Sequence, residues 1–223
     1  MRLYYFTSSH WALDNVARRR IKVSQIEALN DPFELLSPAL KQPEDRAKFR
    51  ELKSDLSRTV GLICFSASWR NPVQWSHYGD HHRGCCLGFD VPEQLAKRVT
   101  YLSKRLRVDS LMRFAEAGKL DEAFMENALS AKFAHWRYEK EYRVFAQMEG
   151  CLRDGDHYFQ RLNDKGITLR LSEFIVGPLS LVTRSQVATA LGDLVGSVRA
   201  TKARLAFQTF NVCKQRKEAL WAD

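Results

Sequence analysis

At 223 residues the chain is long enough for one well-filled core and short for two, and 45% hydrophobic with 27% charged residues is globular composition that excludes disorder. A formal charge of +9 favours anionic partners, nucleic acid or a phosphate-bearing cofactor. No apolar run approaches the ~18 residues of a membrane span, the first residues read as a strand rather than a leader, and five cysteines without C-x-x-C spacing exclude a disulfide framework or zinc knuckle. The expectation is one domain over residues 1–223, cytoplasmic, with reduced thiols and no membrane partner.

Residues 3–8 alternate and are rich in aromatics, which predicts a strand with Tyr5 and Thr7 on one face and Tyr4 and Phe6 on the other. Ser8 or Ser9 can cap a helix to about Arg20, with Trp11, Ala12, Leu13, Val16 and Ala17 at helical spacing and Arg18, Arg19 and Arg20 closing its C-terminal end. Residues 21–24 read as a second strand. Asn30, Asp31 and Pro32 form a turn sequence that Phe33 anchors, with Asp31 and Glu34 open to either a structural or a functional role. The charge-rich stretch over 44–58 reads as a solvated surface helix.

Residues 60–68 and 85–90 are short, apolar and bounded by turn signals, as buried strands are. Between them Asn71 is a helix cap, Pro72 fits the first helical position and Gly84 is a stop. This segment gathers three histidines, two aromatics, a carboxylate and an arginine, and on a helix His77 and His81 would face the same way as a pair of nitrogen ligands. Their spacing lacks the H-E-x-x-H general base, and His77 reads equally as a satisfied histidine beside Trp75.

Helical periodicity resumes at Leu95 and Val99, a basic cluster follows at 97–107, and residues 110–133 read as two helices broken at Gly118. From Tyr138 the pattern has period two, placing Glu139, Glu141 and Arg143 on one face, either a solvated ladder or the wall of a cleft. A polar loop is expected from 150, strands at 167–171 and 174–178, and a helix over 183–195. The tail over 196–217 carries six basic residues and no acidic one, with Phe207 and Phe210 interleaved, a pattern that could touch nucleic acid. Neither G-x-x-x-x-G-K, G-x-G-x-x-G nor G-x-S-x-G occurs, which removes the corresponding nucleotide-binding and serine-nucleophile chemistries.

The blocks Leu29-Asn30-Asp31-Pro32-Phe33-Glu34, Cys64-Phe65-Ser66, Trp75-Ser76-His77-Tyr78-Gly79-Asp80 and Trp136-Arg137-Tyr138-Glu139-Lys140-Glu141-Tyr142-Arg143, in this order, resemble a bacterial and phage family catalogued as domain of unknown function 2971. The order of parts is also similar to ADP-ribosyltransferases that modify DNA. That similarity implies an α+β fold with a central split mixed or antiparallel sheet flanked by helices, and NAD as the molecule consumed. It implies catalytic Glu141 with Glu139 beside it. It implies contacts to NAD from Tyr5, Thr7, Ser66, Trp75, His77, Tyr78, Arg83 and Arg143, with Arg143, His77 or Arg83 on the diphosphate. Tyr5 stands where those enzymes usually have histidine or arginine. Two alternatives remain beside this reading: a nucleic-acid-binding or metal-dependent nucleolytic protein using His77 and His81, and a catalytically silent domain of a defence or toxin system.

Overall fold

A computed structural model describes residues 1–31, 33, 39, 41–105, 128–164 and 166–223. Strand β1 (Arg2–Thr7) leads into helix α1 (Ser9–Ala17), whose cap is Ser8, accepting from the Trp11 amide. The helix stops before the arginine triplet, contrary to expectation. Arg19 turns the corner with φ of 52°, and Arg20 opens β2 (Arg20–Gln25) as a buried side chain, 2.8 Å from both Asp14 and Asp154 and stacked on Phe159. A guanidinium with two carboxylates gains more there than at a helix end.

Helix α2 (Pro43–Thr59) and strand β3 (Val60–Ser66) follow, then α3 (Pro72–Tyr78) and β4 (Cys85–Asp90). Asn71 caps α3 through the Val73 amide, as its sequence predicts, but the helix ends at Gly79 rather than Gly84. Asp80, His81 and His82 all take positive φ, so His77 and His81 do not share a helix face. Among the described residues no group of three or more His, Cys, Asp or Glu is placed to hold a metal ion.

Residues 93–102 form a short 3-10 turn and the strands β5 (Lys97–Arg98) and β6 (Thr100–Leu102), where a helix was expected. Two short strands win because β8 and β7 offer them backbone partners. The expected helices around Gly118 lie outside the described residues except at their end, where β7 (Ala131–Phe133) is a strand parallel to β6. Strand β8 (Glu141–Gln147) comes next, and the expected polar loop is a hairpin of β9 (Leu152–Asp154) and β10 (His157–Arg161) that pairs with β2. Short strands β11 (Asn163–Asp164) and β12 (Ile167–Thr168) precede β13 (Arg170–Val176). Helix α4 (Arg184–Leu191) carries a capping box between Thr183 and Gln186, and β14 (Arg199–Leu205) and β15 (Val212–Lys214) close the sheet.

The result is an α+β fold on a large mixed sheet, in the order β15-β14-β13-β4-β1-β3-β2-β10-β9, with β8 on β3 and β5 on β8. Among its described strands only β13 and β14 run parallel. Strand β3 is a branch point. Its full length pairs with β8, from Val60 opposite Gln147 to Ser66 opposite Glu141. On the other edge Leu62 and Gly61 meet Ser24 and Gln25 of β2, while Ser66 meets Tyr4 of β1. Strands β1 and β2 therefore diverge, and the sheet opens beside residues 63–65. A split sheet of this kind leaves a hollow lined by backbone edges and by side chains from both faces.

The core is assembled around Leu3, Ile21, Ile63, Leu87, Phe89 and Phe174, all essentially inaccessible, with α1 packed on α4. A second cluster sets Trp75 among Trp69, Cys86, Ile175 and Val212. Gly84 and Gly177 let the ends of β4 and β13 meet: Gly177 N donates to Gly84 O at 2.9 Å, and a Cβ on Gly177 would stand 2.4 Å from that oxygen. No described helix is long and apolar enough to cross a membrane. The five cysteines form no disulfide with one another, Cys85 and Cys86 being buried and the others half-buried.

Candidate functional site

The hollow at the split has a volume of about 270 Å³, and Tyr4, Tyr5 and Phe6 from β1, Cys64 and Ser66 from β3, and Gln74 and Tyr78 from α3 contribute to its wall. Lys132, Glu139, Glu141 and Arg143 complete it. Four charged side chains, two of each sign, are thus buried together. Lys132 Nζ donates to Glu139 Oε2 at 2.7 Å and to Glu141 Oε2 at 3.2 Å. Arg143 grips the second carboxylate in a fork, Nε to Oε1 at 2.8 Å and Nη2 to Oε2 at 3.2 Å, while Nη1 donates to Leu129 O. Burying charge is tolerable only with such pairing.

Local structure explains how each group arrives. Residues 134–139 form a 3-10 turn, and Lys140 then takes a left-handed conformation with φ of 47°. That turn swings Glu139 to the same side as Glu141, two residues on in β8. Its carbonyl is fixed by Gln74 Nε2 at 2.8 Å and by Ser66 Oγ at 2.7 Å, and Asn71 Nδ2 holds the preceding carbonyl of Tyr138 at 3.0 Å. Tyr78 donates its hydroxyl proton to Glu139 Oε1 and accepts from Asn30 Nδ2 at 2.9 Å. The Tyr101 hydroxyl oxygen accepts from the Glu141 amide at 2.8 Å.

The two carboxyls are displaced in opposite directions. Burial raises Glu141, but the Arg143 and Lys132 charges outweigh it and hold the group down to about 2. Burial likewise raises Glu139, and there Lys132 does not compensate, because the Glu141 charge adds to the rise; its pKa lies above the ordinary carboxylate value. Burial and the Glu139 charge keep Tyr78 protonated, and burial pushes Tyr101 up to about 12. One carboxylate therefore stays ionised well into acid, and its neighbour holds a proton more readily than an ordinary carboxylate does.

Six of the residues singled out from sequence line this hollow: Tyr5, Ser66, Tyr78, Glu139, Glu141 and Arg143. Four do not. Trp75 is wholly buried in the second core cluster, its Nε1 donating to Trp69 O at 2.6 Å and its ring edge-on to Phe6, so it packs the fold and cannot stack on a ligand. Thr7 is buried at the end of β1. His77 is exposed on the outer face of α3, stacked on Tyr138, and Arg83 is exposed in the turn beyond. Arg143 reaches the hollow but is fully inaccessible and committed to Glu141 and Leu129 O, which leaves it no diphosphate to bind.

Lys132, Gln74, Asn30 and Tyr101 were missed. Lys132 had a sequence signal, a lysine between Ala131 and Phe133 in an otherwise apolar run, which a buried partner alone would justify. Asn30, Gln74 and Tyr101 are drawn in by pairings distant in sequence.

Fold and site together define an α+β protein with a buried, charge-balanced cavity at a branch in its sheet. Residues 74–144, from α3 to β8, match the family described as "Protein of unknown function (DUF2971)", and that stretch carries Gln74, Tyr78, Lys132, Glu139, Glu141 and Arg143. No curated protein and no solved structure matches the chain.

Proposed function

We propose that this protein cleaves the nicotinamide N-glycosidic bond of NAD and transfers the ADP-ribosyl group to an acceptor, with Glu141 as charge stabiliser and Glu139 as proton acceptor. The observation that carries the reading is the pair of carboxyls, pushed apart in pKa, on the wall of one hollow. Breaking the bond sends its electron pair to nicotinamide and builds positive charge on the ribose ring, and a fixed carboxylate lowers the energy of that state. Arg143 and Lys132 lock the plane of Glu141. The acceptor's proton passes to Glu139 when that group is ionised, and Tyr78 orients it.

A hollow of about 270 Å³ takes nicotinamide and its ribose, and not a whole dinucleotide. The remainder of NAD has a place next to it: a second hollow of about 360 Å³ shares Lys132 with the first and is lined by Lys104, Arg105, Phe33 and Phe133. Those exposed cations, rather than Arg143 or Arg83, are the ones suited to a diphosphate.

One observation favours a different reading. Each carboxylate is already satisfied by protein cations, so the quartet could serve only to fix the branch of the sheet. Nicotinamide release, measured by chromatography with nucleic acid and protein acceptors offered, separates the two. Tyr78→Phe and Glu139→Gln leave the Glu141–Arg143 pair in place; transfer is expected to fall at least tenfold in both while NAD still raises the melting temperature. Failure of the unaltered protein to bind or cleave NAD under any of these conditions removes the enzymatic reading.

A further inference from the structure

We infer that the β14–β15 edge of the sheet is a binding surface for single-stranded nucleic acid, separate from the carboxylate hollow and independent of the reaction proposed for it. At one end of this hairpin lies a cavity of about 370 Å³ whose lining includes Arg184, Lys202, Lys214, Arg216 and Lys217 against one acid, Glu218. At the other end, in the turn between the strands, Phe207 and Phe210 are 95% and 98% exposed, the barest large apolar side chains among the described residues.

Phe207 and Phe210 are not covering a core. The turn is closed by its own backbone, Ala206 N to Asn211 O at 2.9 Å, and Arg204 lies over the Phe207 ring at 5.2 Å. Two fully presented rings cost solvation unless something flat packs on them, and nucleobases supply that face whatever their sequence. Among the described residues Arg184 is the one of these cations with an ion pair, to Asp223 at 3.7 Å, and the set is arranged as a phosphate track. Lys202 Nζ donates to the carbonyl of Ser180, and burial lowers the pKa of this half-buried ammonium, a cost that an anion in the cavity offsets. Arg184 is spread on Trp221 with its Nη2 on Glu218 O.

Spacing fits the assignment. Five residues separate Lys202 from Phe207, about 16 Å of extended strand, so one bound strand can place phosphates in the cavity and bases on the rings. A duplex cannot, because its bases are stacked on each other and unavailable to the phenylalanines. Acidic protein partners would use the cations and leave the two rings unexplained. Strand β15 ends the sheet order, and its outer edge is met at Val212, whose amide donates to Arg70 O at 2.8 Å, while Lys214, Arg216 and Lys217 beyond it are exposed.

Fluorescence anisotropy with labelled oligothymidylate and oligouridylate, a labelled duplex of equal length and heparin as competitor tests the assignment on the whole chain. Single strands are expected to bind more tightly than the duplex. Phe207→Ala and Phe210→Ala should each weaken single-strand binding about tenfold with the salt slope unchanged, and the triple variant Lys214→Glu, Arg216→Glu, Lys217→Glu should flatten that slope by about 2. Equal affinity for duplex and single strand, or phenylalanine variants that bind as the parent does, would reduce the edge to a general polyanion surface and overturn the proposal. Preference for an acidic peptide over every oligonucleotide would overturn it too.

Discussion

The carboxylate hollow and the β14–β15 edge contain much the same residue types and treat them in opposite ways. At the hollow, Lys132, Glu139, Glu141 and Arg143 are buried, each within hydrogen-bond reach of another, and both carboxyls are displaced from their ordinary pKa. At the edge, Lys214, Arg216 and Lys217 are exposed without an acidic residue among them, and burial lowers the pKa of the half-buried Lys202. Charge in the first place is spent on fixing geometry and proton affinity. In the second it is left available to a partner. Substitutions that treat the two alike should therefore give very different results.

The largest difference is expected from breaking the buried fork. Glu141→Gln strands the inaccessible Arg143 guanidinium, and Arg143→Met strands Glu141 against Lys132 alone; each should cost about 3–5 kcal/mol, lowering the melting temperature by on the order of 10 °C. Removing both charges at once should cost less than the sum of the two, because no uncompensated partner remains. Equal, additive losses in a double-mutant cycle would show that the pair does not work as a unit.

Acid should act next, through the carboxyls of the hollow. Glu141 is held at about 2 in the fold against an ordinary 4.5, so the folded protein binds fewer protons there, and the stabilisation is complete above 4.5 and lost as pH falls toward 2. That displacement corresponds to about 3 kcal/mol. Glu139 has the opposite sign: its raised value contributes stability below the ordinary carboxylate pKa, and this is lost as pH rises through the folded value. Urea unfolding between pH 3 and 8 should show Glu139→Gln gaining on the parent as pH rises. A constant gap between them would contradict the displacement assigned to Glu139.

How much of this contrast could be read without coordinates depends on how local each cause is. Asn71 as a cap, Pro72 behind it and the apolar runs of β3 and β4 are local signals, and they placed that unit correctly. The shared side of Glu139 and Glu141 was also anticipated, though by a route the structure changes: Glu139 belongs to a 3-10 turn, and the left-handed Lys140 rather than strand alternation aligns the pair. Trp75 and His77 were put against NAD by the resemblance alone, and burial of Trp75 in the second core cluster with exposure of His77 on the outer face of α3 sends them elsewhere. Residues 97–102 and 152–161 were misread because their strands exist by pairing with β8, β7 and β2, partners remote in sequence. The Lys132 contacts, nine residues or fewer along the chain but across a turn and two strands, follow from that same topology.

A smaller effect is expected at the joint between α3 and the carboxylate turn. Asn71 Oδ1 accepts from the Val73 amide at 2.9 Å and its Nδ2 donates to Tyr138 O at 3.0 Å, so one side chain both starts the helix that carries Tyr78 and steadies the turn that carries Glu139. Asn71→Ala should cost about 1 kcal/mol. Asn71→Asp, which keeps the cap and loses the donor, should recover most of that stability and still slow any reaction that needs Tyr78 on Glu139. Full recovery of both by aspartate would show that the Tyr138 contact is incidental.

The smallest effect on stability is expected where the effect on binding is greatest. The triple reversal of Lys214, Arg216 and Lys217 to glutamate changes the formal charge from +9 by six units, to +3, yet all three side chains are exposed, and surface substitutions away from packed features usually stay within about 0.5 kcal/mol. Lower net repulsion in a basic protein could even raise the melting temperature slightly at low salt. Stability within that range, with oligonucleotide affinity lost and its salt slope flattened, is the signature of charge held for a partner. A loss of several kcal/mol would instead mean that the edge cations are tied into the fold as Arg143 is, and the distinction between the two regions would fail at its simpler end.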